Sequence, residues 1–180
     1  MQRTQETIIT ERLLLRKWRI EDLSEFARLH ADPSVMHDLR GPISEEKSRA
    51  KLMEYISMYD HFGFSRYCVE DHAGRFVGYV GIRPRSGDQT IGAHNEIGWR
   101  LNSAYWGKGY ATEAGRACLA EFRRTFPDSE VVSYTTAENL RSQNVMARLK
   151  MERVPKRDFQ WFKRDGASIP MLVWATNWTR

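Results

Sequence analysis

The chain is poor in cysteine. Its 180 residues hold two, Cys68 and Cys118, far apart and each in an apolar run. That is too few and too distant for a disulfide framework or a zinc ribbon, so both are expected as buried free thiols in a reducing compartment. Long hydrophobic runs are missing as well. The opening MQRTQETIITERLLL holds no apolar stretch of signal-peptide length, and no segment approaches the roughly 20 residues of a membrane span. The expectation is a soluble, cytoplasmic protein with no membrane partner. No repeat, no Ser/Gly/Pro-rich linker and no long Lys/Arg block divides the chain, which excludes solenoids and separable modules. Residues 1–180 read as a single domain.

What is present suits a packed core: 41% hydrophobic and 12% aromatic residues, in a chain long enough to bury them. The net charge of +5 fits an anionic cofactor, a nucleic acid or a ribosomal setting, and charge alone chooses none of these. No nucleic-acid-binding motif accompanies it.

Periodicity gives the order of elements. ERLLLRKW alternates as a strand, and EDLSEFARLHADP spaces Leu23, Phe26, Ala27 and His30 as a helix that stops at Pro33. Ser44, followed by Glu45 and Glu46, opens a second helix with Leu52, Met53, Ile56 and Tyr59 as its apolar stripe. FSRYCVE, RFVGYVGIRP and HNEIGWRL are strands separated by the turns DHAGR and RSGDQ. A helix over 109–125 then turns Ala111, Ala114, Cys118, Leu119 and Phe122 inward. EVVSYTT, the helix NLRSQNVMARL with Val145, Met146 and Leu149 inward, and strands around RDFQWFK and SIPMLVWATNW complete the chain. The order β-α-α-β-β-β-α-β-α-β-β is an α+β pattern with a mixed sheet.

Two motifs carry chemistry. WGKGYATEAG, residues 106–115, sets Gly107 and Gly109 before a helix, where free backbone N–H groups and the helix dipole can hold an anion. It is neither a Walker loop nor a dinucleotide fingerprint, since GxxxxGK[ST] is absent and Thr112 stands where a third glycine is needed. TTAENLRSQNVMARL places Asn139, Ser142 and Met146 on one helical face. Asn139 also suits a helix N-cap, and Ser142 a hydroxyl bonded to its own backbone.

Together, EIGWRLNSAYWGKGYATEA and ENLRSQNVMARLKM resemble the GNAT superfamily of acetyl-CoA-dependent N-acetyltransferases, in the branch of ribosomal-protein N-terminal (Rim-type) enzymes. The resemblance extends over nearly the whole chain, TERLLLRKWRIEDL included. It implies a mixed, splayed β-sheet flanked by helices, whose gripping strand and following helix hold coenzyme A. The family's pyrophosphate turn, Gln or Arg followed by x-x-Gly-x-Gly/Ala, is matched by residues 106–111, with Trp106 in the first place. By that match Gly107, Lys108, Gly109, Tyr110, Ala111 and Thr112 contact pyrophosphate, and the pantetheine arm runs beside Trp99, Arg100 and Leu101. Asn139 matches the asparagine that bonds the pantetheine or the reacting centre. Glu96 becomes the candidate base, acting through water, where its plain reading is a surface strand glutamate. The tyrosine that many relatives use to protonate the thiolate is replaced by Met146, and Ser142 is the substitute, as a hydrogen bond to the departing sulfur.

This modest acid–base equipment suits a protein N-terminal α-amine or a small-molecule amine, since an α-amine has a pKa of about 7.7–8.0 and a lysine about 10.4. Direct transfer in a ternary complex is expected, because no cysteine or serine has a base arranged beside it. Lys150 stands where relatives have a helix-ending glycine and must adopt a left-handed conformation or end the helix differently. HNE at 94–96 is half of a zinc-deaminase motif without its P-C-x-x-C partner, so no metal is expected. Trp161, Phe162, Trp174 and Trp178 are expected as sheet and core packing, and the aromatic C-terminal strands would suit a homodimer contact. The alternative function is a noncatalytic acyl-CoA-binding sensor of the same fold.

Overall fold

The computed structural model of the chain describes residues 2–37, 41–86, 91–162, 166 and 168–178. Its strands are β1 (Thr7–Ile9), β2 (Leu13–Arg16), β3 (Arg66–Asp71), β4 (Phe76–Arg85), β5 (His94–Leu101), β6 (Val131–Thr135), β7 (Glu152–Arg153), β8 (Phe159–Phe162) and β9 (Ser168–Ala175). The helices are α1 (Leu23–Ala31), α2 (Pro33–Met36), α3 (Glu45–Phe62), α4 (Tyr110–Thr125) and α5 (Leu140–Arg148). The described strands form a mixed sheet in the order β1-β2-β3-β4-β5-β6-β9-β7, with β8 paired to β9. The expected α+β architecture is present.

The sheet divides two cores. Leu13, Val69, Val80, Ile82 and Ile97 pack with Ala114, Cys118 and Phe122 of α4 and Met146 of α5. Trp18, Phe26, Leu52, Tyr55, Cys68 and Tyr79 pack together on the α1 and α3 side. A register shift between Val69 and Glu70 sets both Val77 and Val80 among the α4-side residues, although Tyr79 between them belongs to the other core. Both cysteines are buried free thiols.

Several elements depart from the sequence expectation. The first helix stops before Pro33 as expected, with Asp32 extended; what was not anticipated is α2, which Pro33 opens and Asp32 caps by accepting from the Ser34 amide, because proline lacks only an N–H that a first turn leaves free anyway. Strands β1 and β7 were not anticipated, being three and two residues long. In α3, Ser44 caps as expected by accepting from the Lys47 amide, but Ser48, Leu52, Tyr55 and Tyr59 are the buried residues and Met53 is 47% exposed. Phe162, expected in the packing, is 67% exposed on β8. Most of the RSGDQ turn lies outside the described residues.

Candidate active site

Strands β5 and β6 run parallel and pair only at Asn95↔Val131 and Glu96↔Val132. Beyond Glu96, β5 continues to Leu101 against β4 alone, so its other edge presents backbone groups that β6 does not satisfy. A cleft of ≈ 250 Å³ opens there. It is lined by Trp99, Arg100 and Leu101, by Gly107, Gly109, Tyr110, Ala111 and Thr112, and by Asn139 and Ser142. Every expected cofactor contact except Lys108 therefore lies on one cleft.

The glycine turn is built for its backbone conformation. Gly107 and Gly109 have φ of 73° and 82°, in the left-handed region that favours glycine. Gly109 is the N-cap of α4 and gives it no side-chain bond, so the first amides of the helix remain free for an anion. Thr112 also borders the cleft, and among the described residues its buried hydroxyl has no hydrogen-bond partner. Lys108 is exposed, with its ammonium 5.5 Å from the centroid of Tyr105.

Arg12 was not identified from sequence, and it braces this turn. Its Nη1 donates to the Lys108 carbonyl at 2.9 Å and its Nε to Glu113 at 2.7 Å. Glu113 also accepts from the Thr10 hydroxyl and the Arg12 amide. Burial raises the Glu113 pKa, but these donors outweigh it and hold the carboxyl below its usual value. Its charge is thus engaged by Thr10 and Arg12 within the first turn of α4.

On α5, the Asn139 side-chain oxygen caps the helix by accepting the Ser142 amide at 3.0 Å. The cap position and the cleft position are the same, so both roles are open to Asn139. Met146 is 1% exposed inside the α4-side core. Lys150 ends the helix with φ 59°, the left-handed geometry expected of a glycine.

Glu96 sits at the last paired position before the strands part. Its carboxylate meets Arg66 at 2.9 Å and Arg83 at 3.0 Å, with Arg85 at 3.8 Å. Burial raises its pKa, and the three arginines outweigh burial and bring it to about 2. Glu96 is therefore a paired, partly buried carboxylate and not a free surface glutamate. Arg66 reaches it by laying its guanidinium over Gly98, past its own β4 partner Gly81, whose missing side chain leaves room for the β3 backbone, and donates also to the Tyr55 hydroxyl at 3.0 Å. The short alternation GYVGI and EIGWR carried the signal for this crossing, since a glycine inside a strand marks a close approach.

Comparison with known proteins places the chain in a family and a fold. The Acetyltransferase (GNAT) domain family matches residues 12–152. Among curated relatives, uncharacterized protein YkkB of Bacillus subtilis is 34% identical over 115 residues, 62% of this chain and 65% of that protein. The chain thus spans under two thirds of that relative's length. Uncharacterized N-acetyltransferase YnaD of Bacillus subtilis is 26% identical over 86% of this chain and 91% of that protein. Among solved structures, a GNAT-family acetyltransferase from Bacillus anthracis superposes with a TM-score of 0.80 at 24% identity, covering 97% of this chain and 99% of the other. RimL, a ribosomal L7/L12 alpha-N-protein acetyltransferase in complex with coenzyme A, superposes with a TM-score of 0.76 at 16% identity, covering 95% and 97%.

Proposed function

The chain belongs to the acetyltransferase (GNAT) family, and on that premise we propose that it transfers the acetyl group of acetyl-CoA to a primary amine within a ternary complex. One observation carries this reading: the free amides of the glycine turn, the unpaired edge of β5 and the Asn139–Ser142 turn face a single cleft. Pyrophosphate takes the amides of Gly107 to Thr112, with the α4 dipole adding favourable charge. Pantetheine runs along Trp99, Arg100 and Leu101 as a short added strand, and Asn139 bonds it from α5.

The amine nitrogen attacks the thioester carbon. A backbone N–H near Trp99 stabilises the oxyanion. The C–N bond forms, the C–S bond breaks, and the proton lost by nitrogen ends on sulfur, toward which the Ser142 hydroxyl donates. A covalent enzyme intermediate is not part of the reading, because Cys68 and Cys118 are buried and burial pushes both thiols up.

The low pKa of Glu96 sharpens the choice of acceptor. Proton transfer from an amine of pKa near 8 to a carboxyl near 2 is uphill by roughly 8 kcal/mol at ~1.36 kcal/mol per unit. That is a large share of a barrier compatible with ordinary turnover, about 16 kcal/mol. Glu96 then serves by its charge and by fixing Arg66 and Arg83, and the acceptor enters as the neutral amine. A protein N-terminal α-amine, about a tenth neutral at pH 7, or a small amine of similar pKa fits this. The alpha-N-protein activity in the name of RimL supports the first. Two buried free thiols and the absence of any described helix long and apolar enough to cross a membrane support a cytoplasmic setting.

A second reading, an acyl-CoA sensor, draws on Met146, which is buried in core where many relatives carry an acid. Thermal-shift titration with acetyl-CoA, followed by thiol release with a panel of amines, separates the two. A melting temperature that rises with acetyl-CoA and thiol release that requires an amine support the enzyme. Binding without release supports the sensor, and no binding rejects both.

A further inference from the structure

Four cationic side chains, Lys51 of α3, Arg66 of β3, Arg83 of β4 and Arg100 of β5, stand close enough together to act jointly on Tyr55. Two carboxylates answer them: Glu96 pairs with Arg66 and Arg83, and Glu54 lies 3.7 Å from Arg83. Arg100 is different. Among the described residues no carboxylate forms an ion pair with it, and its guanidinium stands 5.5 Å from the centroid of the Tyr79 ring. Among the described residues its Nε and Nη1 are buried without an acceptor, and Arg100 is one of the β5 residues that border the cleft. Arg66, 7% exposed, likewise has an Nε without an acceptor.

Buried guanidinium N–H groups without acceptors are unfavourable and uncommon. Here they occur beside the stretch of β5 along which the thioester is placed. The surroundings cannot relieve them by supplying an anion. His30, which burial and the nearby Arg100 push down to about 3, is neutral, and it already meets the Tyr79 hydroxyl and the Phe26 carbonyl. What the Arg100 guanidinium lacks, among the described residues, is an anionic oxygen.

Resting on the acetyltransferase reading, we propose that the acceptor carries an anionic oxygen group, a carboxylate or a phosphate, near its amine, and that Arg100 binds that group with Lys51 adding charge. The guanidinium fork presents two parallel N–H donors to either group. An amino acid, a peptide with an acidic residue beside its N-terminus and an aminoalkyl phosphate share this chemistry. A polyamine does not, since it would meet four cations.

The test uses acceptor pairs matched except for charge: an amino acid against its amide, an acidic-second-residue peptide against its amide form, and an aminoalkyl phosphate against the amino alcohol. Thiol release gives kcat/KM for each, and a separate thermal-shift titration gives acetyl-CoA affinity. The inference expects the anionic member of at least one pair to be favoured about tenfold, and the favoured pair tells carboxylate from phosphate. Arg100→Gln should shrink that preference to about threefold or less through acceptor KM, with Lys51→Met producing a smaller loss in the same direction. Preference for neutral or cationic acceptors overturns the inference. So does an Arg100→Gln variant that loses kcat equally with both members, which would assign Arg100 to the thioester carbonyl. Acetyl-CoA binding with no acceptor turned over rejects the anionic acceptor but leaves the cofactor site standing, whereas loss of acetyl-CoA binding in the wild-type protein removes the reading beneath it.

Discussion

A β-carbon placed on Gly98 falls 2.4 Å from Nη2 of Arg66, so the guanidinium occupies the space that any other residue at position 98 would fill. That nitrogen is the one that meets Glu96 at 2.9 Å. The glycine on β5 and the arginine on β3 thus make one device, and Glu96 holds its charge through it.

Gly98→Ala should push Arg66 away from Glu96. Breaking a buried ion pair costs about 3 kcal/mol or more, so denaturant unfolding is expected to show a loss of that order. Acceptor kcat/KM should fall more than tenfold, while acetyl-CoA affinity changes little. An unfolding midpoint equal to wild type would mean that Arg66 relocates freely.

The turn before α4 offers a comparison of backbone with side chain. Gly109→Val forces a β-branched residue to φ 82°, at about 1–2 kcal/mol, and should weaken acetyl-CoA binding about tenfold. Lys108→Ala should change it less than threefold, because the exposed ammonium lies outside the lining of the cleft. Isothermal titration of both variants checks the order, and a larger effect at Lys108 would return its charge to the centre of the site.

Lys150 holds φ 59°, a conformation costing roughly 1 kcal/mol for a residue with a β-carbon. Lys150→Gly is therefore expected to raise the melting temperature by about 2–4 °C without altering turnover. A loss of activity would give the Lys150 side chain a role of its own.

Buried His30 makes stability depend on pH. Its pKa falls from 6.5 in the unfolded chain to about 3, mainly by burial and then by Arg100. Between these values the unfolded state binds the extra proton, so stability is fully present above pH 6.5 and is lost as pH falls toward 3. The total is on the order of 5 kcal/mol at ~1.36 kcal/mol per unit. Glu96, lowered from 4.5 to about 2, adds a loss in the same direction below pH 4.5. Unfolding curves for His30→Gln between pH 7 and 5 should be flatter than wild type; an unchanged slope would place the titration elsewhere.

If the acceptor enters neutral, the rising limb of kcat/KM against pH belongs to the acceptor and not to Glu96. Two acceptors whose amines differ by about one pKa unit should shift that limb by about one unit. A limb that stays in place with both acceptors would instead belong to a group on the enzyme.

The local layer of this protein was legible in its sequence. Ser44 and Asn139 cap their helices, Gly109 opens α4, and Lys150 takes the left-handed turn. Each of these outcomes depends on neighbours within a few residues, where hydrogen-bond partners and φ restrictions are written in residue type. The two glycine-containing strands hinted at a close approach without saying what approaches. Met53 was placed in the core in error, because periodicity alone cannot choose between stripes that overlap; the partner surface chose Tyr55.

Tertiary structure decided the rest. Arg12 reaches Glu113 from 101 positions away, and Arg66 reaches Glu96 from 30, separations at which sequence carries no periodic trace of a pair. The parting of β5 from β6 after a single short run of pairing is a property of two strands together. It leaves one edge of β5 without β6 as a partner, beside the cleft. Sequence by itself determined the order of the longer elements and which of them carry the candidate motifs. Only folding determined that Glu96 is held by arginines instead of standing free, and that the buried Arg100 guanidinium meets no carboxylate among the described residues, because charge and burial depend on what the chain brings near.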